Sequence, residues 1–405
     1  MRTKESLNTN QKTPRKSTPC LLVGFSSQHS VTGLALAFDL LLSGFEQRKL
    51  PYRVVDFGEL GLATRPGSFD WQRLYETIGL LISFGAKLPN IRTVYLVIAS
   101  SKLGFFRDAM MIWASRLFNR RVVLHLHGGG YQSFYALQPR WLQRVIAKTI
   151  DQADKIIVLG TQLRHQFAFV PNAEQKIRVV PNALPLGLQP TTTTAKSLSH
   201  DEPLQLLYLS NLIESKGYLV LLAACRILHH EYQVPIHCDF CGDFVQTATE
   251  SSHNQHHDSP AQAKASFLRL VEEWALGDVV TYHGRVMGAQ KQQLLQQTHA
   301  FILPTTYPWE GQPISIIEAL AFATPVIATA HRGIPEQVID DYNGFLVIPE
   351  PMSVANAVRE LWQNPSRYQE LSQNAKIHFQ TNFSQEQHLD HLITVITGQS
   401  TPEQV

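Results

Sequence analysis

Residues 300–338 read AFILPTTYPWEGQPISIIEALAFATPVIATAHRGIPEQV. Phe301, Ile302 and Leu303 form an apolar run that predicts a buried strand, opening into a loop marked by Pro304, Pro308 and Gly311. Pro313 suits the first position of a helix, and Ile314, Ile317, Leu320 and Ala321 give that helix a buried stripe. Its first N–H groups, from about Gln312 to Ser315, therefore open outward, and with the helix dipole they form a site for an anion such as a diphosphate. Glu310 lies in the loop before this N-terminus and Glu318 a little over one turn inside it. Carboxylates so placed accept hydrogen bonds from vicinal hydroxyls. Each glutamate alone also reads as an ordinary loop or helix charge.

The same alternation runs outward through the chain. Cys20–Phe25, Arg53–Phe57, Thr93–Ala99, Val122–Leu126 and Lys155–Leu159 predict strands separated by helices, beginning with a helix over Gly33–Glu46. Residues 186–203 (LGLQPTTTTAKSLSHDEP) lapse into Thr, Ser and Pro, a linker composition. The pattern then resumes with strands at Leu204–Leu209, Ile236–Cys241, Val279–His283, Ala300–Leu303 and Pro325–Ala328, and a helix over Gly217–Leu228. Two doubly wound parallel-sheet α/β domains facing across a cleft are predicted, covering 20–185 and 204–365. Residues 366–405 read as closing helices able to pack back on the first domain. A polar, His-rich stretch at 244–265 reads as a surface insertion, and residues 1–19 as a disordered basic leader.

With 405 residues, 44% hydrophobic and 17% charged, the chain has enough apolar content for two cores. No apolar span is long enough to cross a membrane, and a cytoplasmic location is expected. The net charge of +2 hides an asymmetry: residues 1–185 hold 24 Lys and Arg against 11 Asp and Glu, whereas residues 186–405 hold 11 against 22. The first half is thus suited to an anionic partner, a phospholipid surface or a phosphate-bearing acceptor, unless the two charge sets chiefly meet each other across the cleft. No nucleic-acid partner is expected. Stretches 102–121 and 140–148 mix aromatics with Arg and Lys, as peripheral membrane segments do, although 110–117 equally suits a buried helix.

Cys238 and Cys241 form a CxxC inside a strand, where residues three apart point to opposite faces, so they read as buried hydrophobes rather than a metal or redox pair. His253, His256 and His257 lie in the polar insertion with few fixed neighbours, and no metal is expected there.

Glu310 and Glu318, in the setting EGQPISIIEALAFATPVIAT…GIPEQV…NGFLV, resemble the Glu-x7-Glu signature of the retaining GT-B glycosyltransferases of family 4, a likeness that extends from Leu204 to about Val347. The resemblance implies that Glu318 holds the nucleotide ribose and that Glu310 contacts the donor sugar, with Gly311, Gln312, Pro313 and Ile314 around the diphosphate. Gln312 departs from the family's usual aromatic or aliphatic residue. LLYLSNLIESKG (206–217) resembles the family's GR…KG phosphate loop and implies Lys216 as the phosphate cation, but Ser210 and Asn211 replace Gly and Arg. Asn211 is then a hydrogen-bonding substitute, and Arg285 a candidate for the missing charge or a plain surface arginine. In RVVLHLHGGGY (121–131), strand periodicity cannot choose between His125 and His127; the family places a histidine just before the glycine, which is His127. Gly33 matches the glycine-rich turn of the first domain. Glu336 matches a family carboxylate and reads as a cap or brace for the loop after 325–328.

The implied activity is transfer of a sugar from a nucleoside-diphosphate donor to an acceptor hydroxyl on a saccharide or lipid-linked molecule, with the anomer retained and no cofactor or metal. Alternatives are another GT-B reaction, epimerase or inverting transfer, and a non-catalytic sugar-nucleotide binder.

Overall fold

A computed structural model describes residues 19–28, 32–58, 71–190, 194–245 and 259–398. The leader up to residue 18 and the histidines at 253, 256 and 257 lie outside the described residues.

Six strands form the first sheet: β1 (Cys20–Gly24), β2 (Tyr52–Asp56), β3 (Thr93–Val97), β4 (Arg121–Leu126), β5 (Lys155–Val158) and β6 (Ile177–Val179). All pair in parallel, in the order β2-β1-β3-β4-β5-β6. The second sheet comprises β7 (Leu204–Leu209), β8 (Ile236–Cys241), β9 (Val280–Gly284), β10 (Ala300–Leu303), β11 (Val326–Thr329) and β12 (Gly344–Val347). These also run parallel, in the order β12-β11-β10-β7-β8-β9. Helices cover both faces, which is why β3 (TVYLV) and β10 (AFIL) are apolar or buried at every position.

In the second sheet the chain winds outward through β8 and β9, returns beside β7 as β10, and proceeds in the opposite direction. The reversal lies between β7 and β10, where the loops beyond their carboxyl ends diverge and leave a crevice. Those loops carry Lys216 and Glu310. In the first sheet the reversal lies between β1 and β3.

Two edge strands, β6 and β12, go beyond the sequence expectation. Three and four residues long, with Arg178 exposed in one and a leading glycine in the other, they carry too weak an apolar run to be read as strands. The helix expected from Gly217 starts at Tyr218, because Gly217 sits at φ +81°, and it ends in a π turn over Ile227–Glu231. A Cβ on Gly217 would collide with the carbonyl of Pro304, so both its conformation and its neighbour demand glycine. The linker is tied down by Lys196, whose buried ammonium donates to Leu295 O (2.9 Å), Thr298 O (2.6 Å) and Thr324 Oγ1 (2.7 Å).

The last two described helices part company. Pro365–Asn382 packs on the second domain beside the helix Ile314–Ala321. Gln385–Thr397 crosses to the first sheet, where Leu389, Leu392, Ile393 and Ile396 join a core with Leu22, Tyr95, Val123 and the helix Gly33–Gln47. Arg121 of β4 anchors it by donating to Val395 O (2.8 Å) and Ile396 O (2.5 Å). The return crossing lies beside the outward one: Leu184 N donates to Phe383 O at 3.4 Å.

Candidate functional site

A cleft of about 520 Å³ opens at the β7/β10 switch point. Gly33, His127, Asn211, Lys216, Arg285, Glu310, Gly311, Gln312, Pro313, Ile314 and Glu318 all line it.

Two helix N-termini face each other here. The helix Ile314–Ala321 begins after Pro313, whose side chain makes no capping hydrogen bond. Opposite it, the helix Gly33–Gln47 starts after Thr32, whose hydroxyl accepts Ala35 N at 3.2 Å. They approach so closely that a Cβ on Gly33 would lie 3.5 Å from Ile314 Cδ1. Both positive dipole ends therefore bear on the same volume, which favours an anion there.

Lys216 reaches this volume from the one-turn 3-10 segment Glu214–Lys216. Its Nζ lies 3.3 Å from Glu310 Oε2, donates to Ser210 Oγ at 3.2 Å, and sits 5.1 Å from the Tyr307 ring centre. Glu310 is 7% exposed, and its Oε2 is buried without a hydrogen-bond partner beyond that ion contact. Glu318 is 1% exposed and paired with Lys291 Nζ at 2.6 Å. Burial pushes the Glu318 carboxyl up from its ordinary range, and Lys291 pulls it back. Lys291, on the helix Gly288–Gln297, escaped the sequence reading because that helix is a run of Gln and Lys with little apolar rhythm.

Arg285 lines the same cleft from its rim. Its guanidinium lies 2.5 Å from Asp243 Oδ2 and is half exposed at the rim. Gln312 Oε1 accepts the backbone N–H of Asn182 at 2.6 Å, and Asn182 Nδ2 donates to Gln312 O at 3.0 Å, so this residue brackets the domains together. Asn182 was not anticipated.

His127 follows β4 and lines the cleft, while His125 is fully buried behind it. Their rings lie 3.9 Å apart, and Tyr95 Oη meets His125 Nδ1 at 2.6 Å. Desolvation, reinforced by His388, pushes His127 down to about 3, so it faces the cleft as a neutral imidazole.

The triple glycine at 128–130 lies against the loop of the other domain. The backbone that it admits is protein: a Cβ on Gly129 would strike Glu310 O, one on Gly130 the Trp309 ring, and one on Gly311 the carbonyl of His127. Gly129 N donates to Trp309 O at 3.3 Å, and the Trp309 side chain packs against the first domain's core. A lone tryptophan in a proline-bounded loop was the available signal. Glu336 also reaches between domains, its carboxylate accepting backbone N–H groups of the first domain. Cys238 and Cys241 are buried, and burial pushes the Cys241 thiol up to about 12, so both remain protonated packing groups.

Residues 191–378 match the family model of glycosyl transferases group 1. The second domain belongs to that family. The chain is 30% identical over 173 residues to the putative colanic acid biosynthesis glycosyltransferase WcaL of Escherichia coli, 42% of this chain and 37% of that one. It is 23% identical over 267 residues to the amylovoran biosynthesis glycosyltransferase AmsK of Erwinia amylovora, 62% and 60% of the two chains. It thus spans between about a third and three fifths of these relatives' lengths. Among solved structures, Anabaena Alr3699/HepE in complex with UDP and glucose superposes with a TM-score of 0.67 at 18% identity, covering 94% of this chain and all of that one. Sucrose-phosphate synthase from Thermosynechococcus elongatus gives 0.66 at 18%, over 93% and 98%. These likenesses establish the two-domain GT-B fold. Lys216, Lys291, Glu310 and Glu318 all lie in the glycosyl transferases group 1 domain, whereas His127 and Gly33 are presented to it by the other half.

Proposed function

We propose that this chain is a retaining glycosyltransferase that moves a sugar from a nucleoside diphosphate to an acceptor hydroxyl in polysaccharide, cell-envelope or glycolipid synthesis. The observation that carries the reading is the convergence of Lys216 and two helix N-termini on one volume flanked by Glu310 and Glu318. Breaking the sugar–diphosphate bond leaves negative charge on the leaving group while the sugar becomes oxocarbenium-like. Lys216 and the two N-termini are already oriented toward that charge.

Glu318, held by Lys291, accepts the ribose hydroxyls. Glu310 orients the donor sugar, and its Oε2, which has the Lys216 ion contact but no hydrogen bond, gains a hydroxyl donor when the sugar arrives. Neutral His127 exchanges a hydrogen bond with the sugar rather than adding charge. Asn211, Gly311, Gln312, Pro313 and Ile314 enclose the diphosphate, with Arg285 at the rim. The acceptor proton passes to the departing diphosphate, which lies on the face where the new bond forms, so the anomer is retained. Protein cations supply the charge that a divalent metal supplies elsewhere. The acceptor, a saccharide or lipid-linked saccharide, sits on the basic first domain, and the enzyme works in the cytoplasm at the inner face of the membrane.

A screen of nucleotide sugars, followed by determination of the product anomer by NMR, tests the reading. Glu310→Ala and Lys216→Ala should each lower turnover by about 100-fold or more, the usual scale for losing one preorganised electrostatic group. Unchanged turnover in both variants, or an inverted product, would overturn it.

A further inference from the structure

Three neighbouring helices of the first domain share one core yet present apolar residues on their outer sides as well. The helices Trp71–Lys87, Lys102–Leu117 and Arg140–Ile150 all bury residues on the same sheet face, among them Phe84, Phe105 and Ile146. On the outer side of the middle helix, Leu103, Phe106, Met110, Trp113 and Leu117 recur at helical spacing, each between 41% and 81% exposed. Tyr75, Ile78 and Ile82 repeat the pattern on the first helix, and Trp141 and Val145 on the third. Of the twenty large hydrophobics exposed among the described residues, twelve fall between residues 75 and 145. A contiguous patch of this kind marks a contact surface.

The charge of this face selects the partner. The helix Arg140–Ile150 carries Arg140, Arg144 and Lys148 and no Asp or Glu. Lys102, Arg140, Arg144 and Lys148 are exposed beside the apolar stripes. A symmetric pairing with a second copy would set these cations against themselves, whereas an anionic bilayer accepts both the apolar stripes and the charge. Trp113 is held ready for such a boundary: its Nε1 donates to Thr149 Oγ1 at 3.1 Å, and Lys148 Nζ stands 6.0 Å from its ring centre.

We infer that this three-helix face docks on an anionic phospholipid surface. The helices Lys102–Leu117 and Arg140–Ile150 start on the side of the sheet where its strands end, so Leu103 and Trp141 lie toward the cleft. If the proposed transfer reaction holds, a lipid-linked acceptor enters the cleft directly from the bilayer; the docking itself does not depend on that reaction.

Co-sedimentation with vesicles tests the inference. The full chain should pellet with vesicles of equal parts phosphatidylglycerol and phosphatidylcholine, and much less with phosphatidylcholine alone. The variant Arg140→Glu/Arg144→Glu/Lys148→Glu should partition about 100-fold more weakly, since each cation contributes about 1 kcal/mol at such a surface. Phe106→Ser/Leu117→Ser/Trp141→Ser should also be released, while thermal stabilisation by the nucleotide-sugar donor stays at the parent level and shows that both variants are folded. Failure of the parent chain to pellet with anionic vesicles would overturn the inference, as would equal binding by either variant. Light scattering that shows a dimer abolished by the serine variant, with no vesicle binding, would assign the face to a second copy instead. Loss of donor stabilisation in the parent would count against the transfer reaction and leave the docking result standing.

Discussion

Glu336, in the second domain, accepts the backbone N–H groups of Thr161 at 2.8 Å and of Gln162 at 2.6 Å in the first. Its carboxylate fits only because residue 160 is glycine; a Cβ there would lie 2.7 Å from Oε1. One domain thereby caps the turn Thr161–Phe167 of the other. Replacing Glu336 with alanine should cost about 1 kcal/mol, as for other lost N-terminal caps, read as a lower urea midpoint. The loss in kcat should exceed the loss in donor affinity, because the cap joins the domains rather than touching the donor; an unchanged kcat would refute this.

Glu318 and Lys291 form a buried pair whose side chains are 2% and 17% exposed. Lys291→Met leaves the carboxylate without its cation and should destabilise the fold by about 3 kcal/mol, the low end for a broken buried pair because Glu318 can take up a proton. Lys291→Met/Glu318→Gln should recover most of that stability but bind the donor at least about tenfold more weakly. Recovery of donor affinity in the double variant, measured by calorimetry, would remove Glu318 from the binding site.

Gly129→Ala places a methyl group against Glu310 O, part of a backbone that cannot yield without separating the domains. A shift of about 1 Å between the halves is enough to cost about 100-fold in kcat/KM. Small-angle scattering should show a larger radius of gyration. Gly85→Ala, where nothing lies within 4 Å of the added Cβ, is the matched control and should behave like the parent.

Acid should unfold the protein through its histidines. Burial holds His127 at about 3 and His388 at about 4, below the ordinary 6.5. Between about pH 6.5 and 4 the unfolded chain therefore binds protons that the native state refuses, and stability falls as pH falls, by about 1.4 kcal/mol per pH unit for each such histidine. Above about pH 6.5 neither contributes a slope. Urea midpoints at pH 7 and pH 5 should differ less in His388→Asn than in the parent; equal differences would exclude His388 as a source.

The two sheets were legible because their central strands are buried on both faces and so appear as unbroken apolar runs. Short edge strands such as Gly344–Val347 lack that signature. Glu310, Lys216 and the helix after Pro313 were legible because they are close in sequence and their chemistry depends on local geometry. Lys291 and Asn182 were not, since their importance arises only from what the fold sets opposite them. The run of glycines at 128–130 is visible in the sequence, but the Trp309–Gly311 segment packed against it is not.

Leu389, Leu392, Ile393 and Ile396 complete a core whose other walls are built from residues near 22, 38 and 95. During synthesis the first domain must therefore wait, with one face of its sheet covered only in part by the helix Gly33–Gln47, until the whole second domain and residue 396 have left the ribosome. The chain closes as a clasp rather than folding as two beads in succession, and a truncation near its carboxyl end would injure the amino-terminal half.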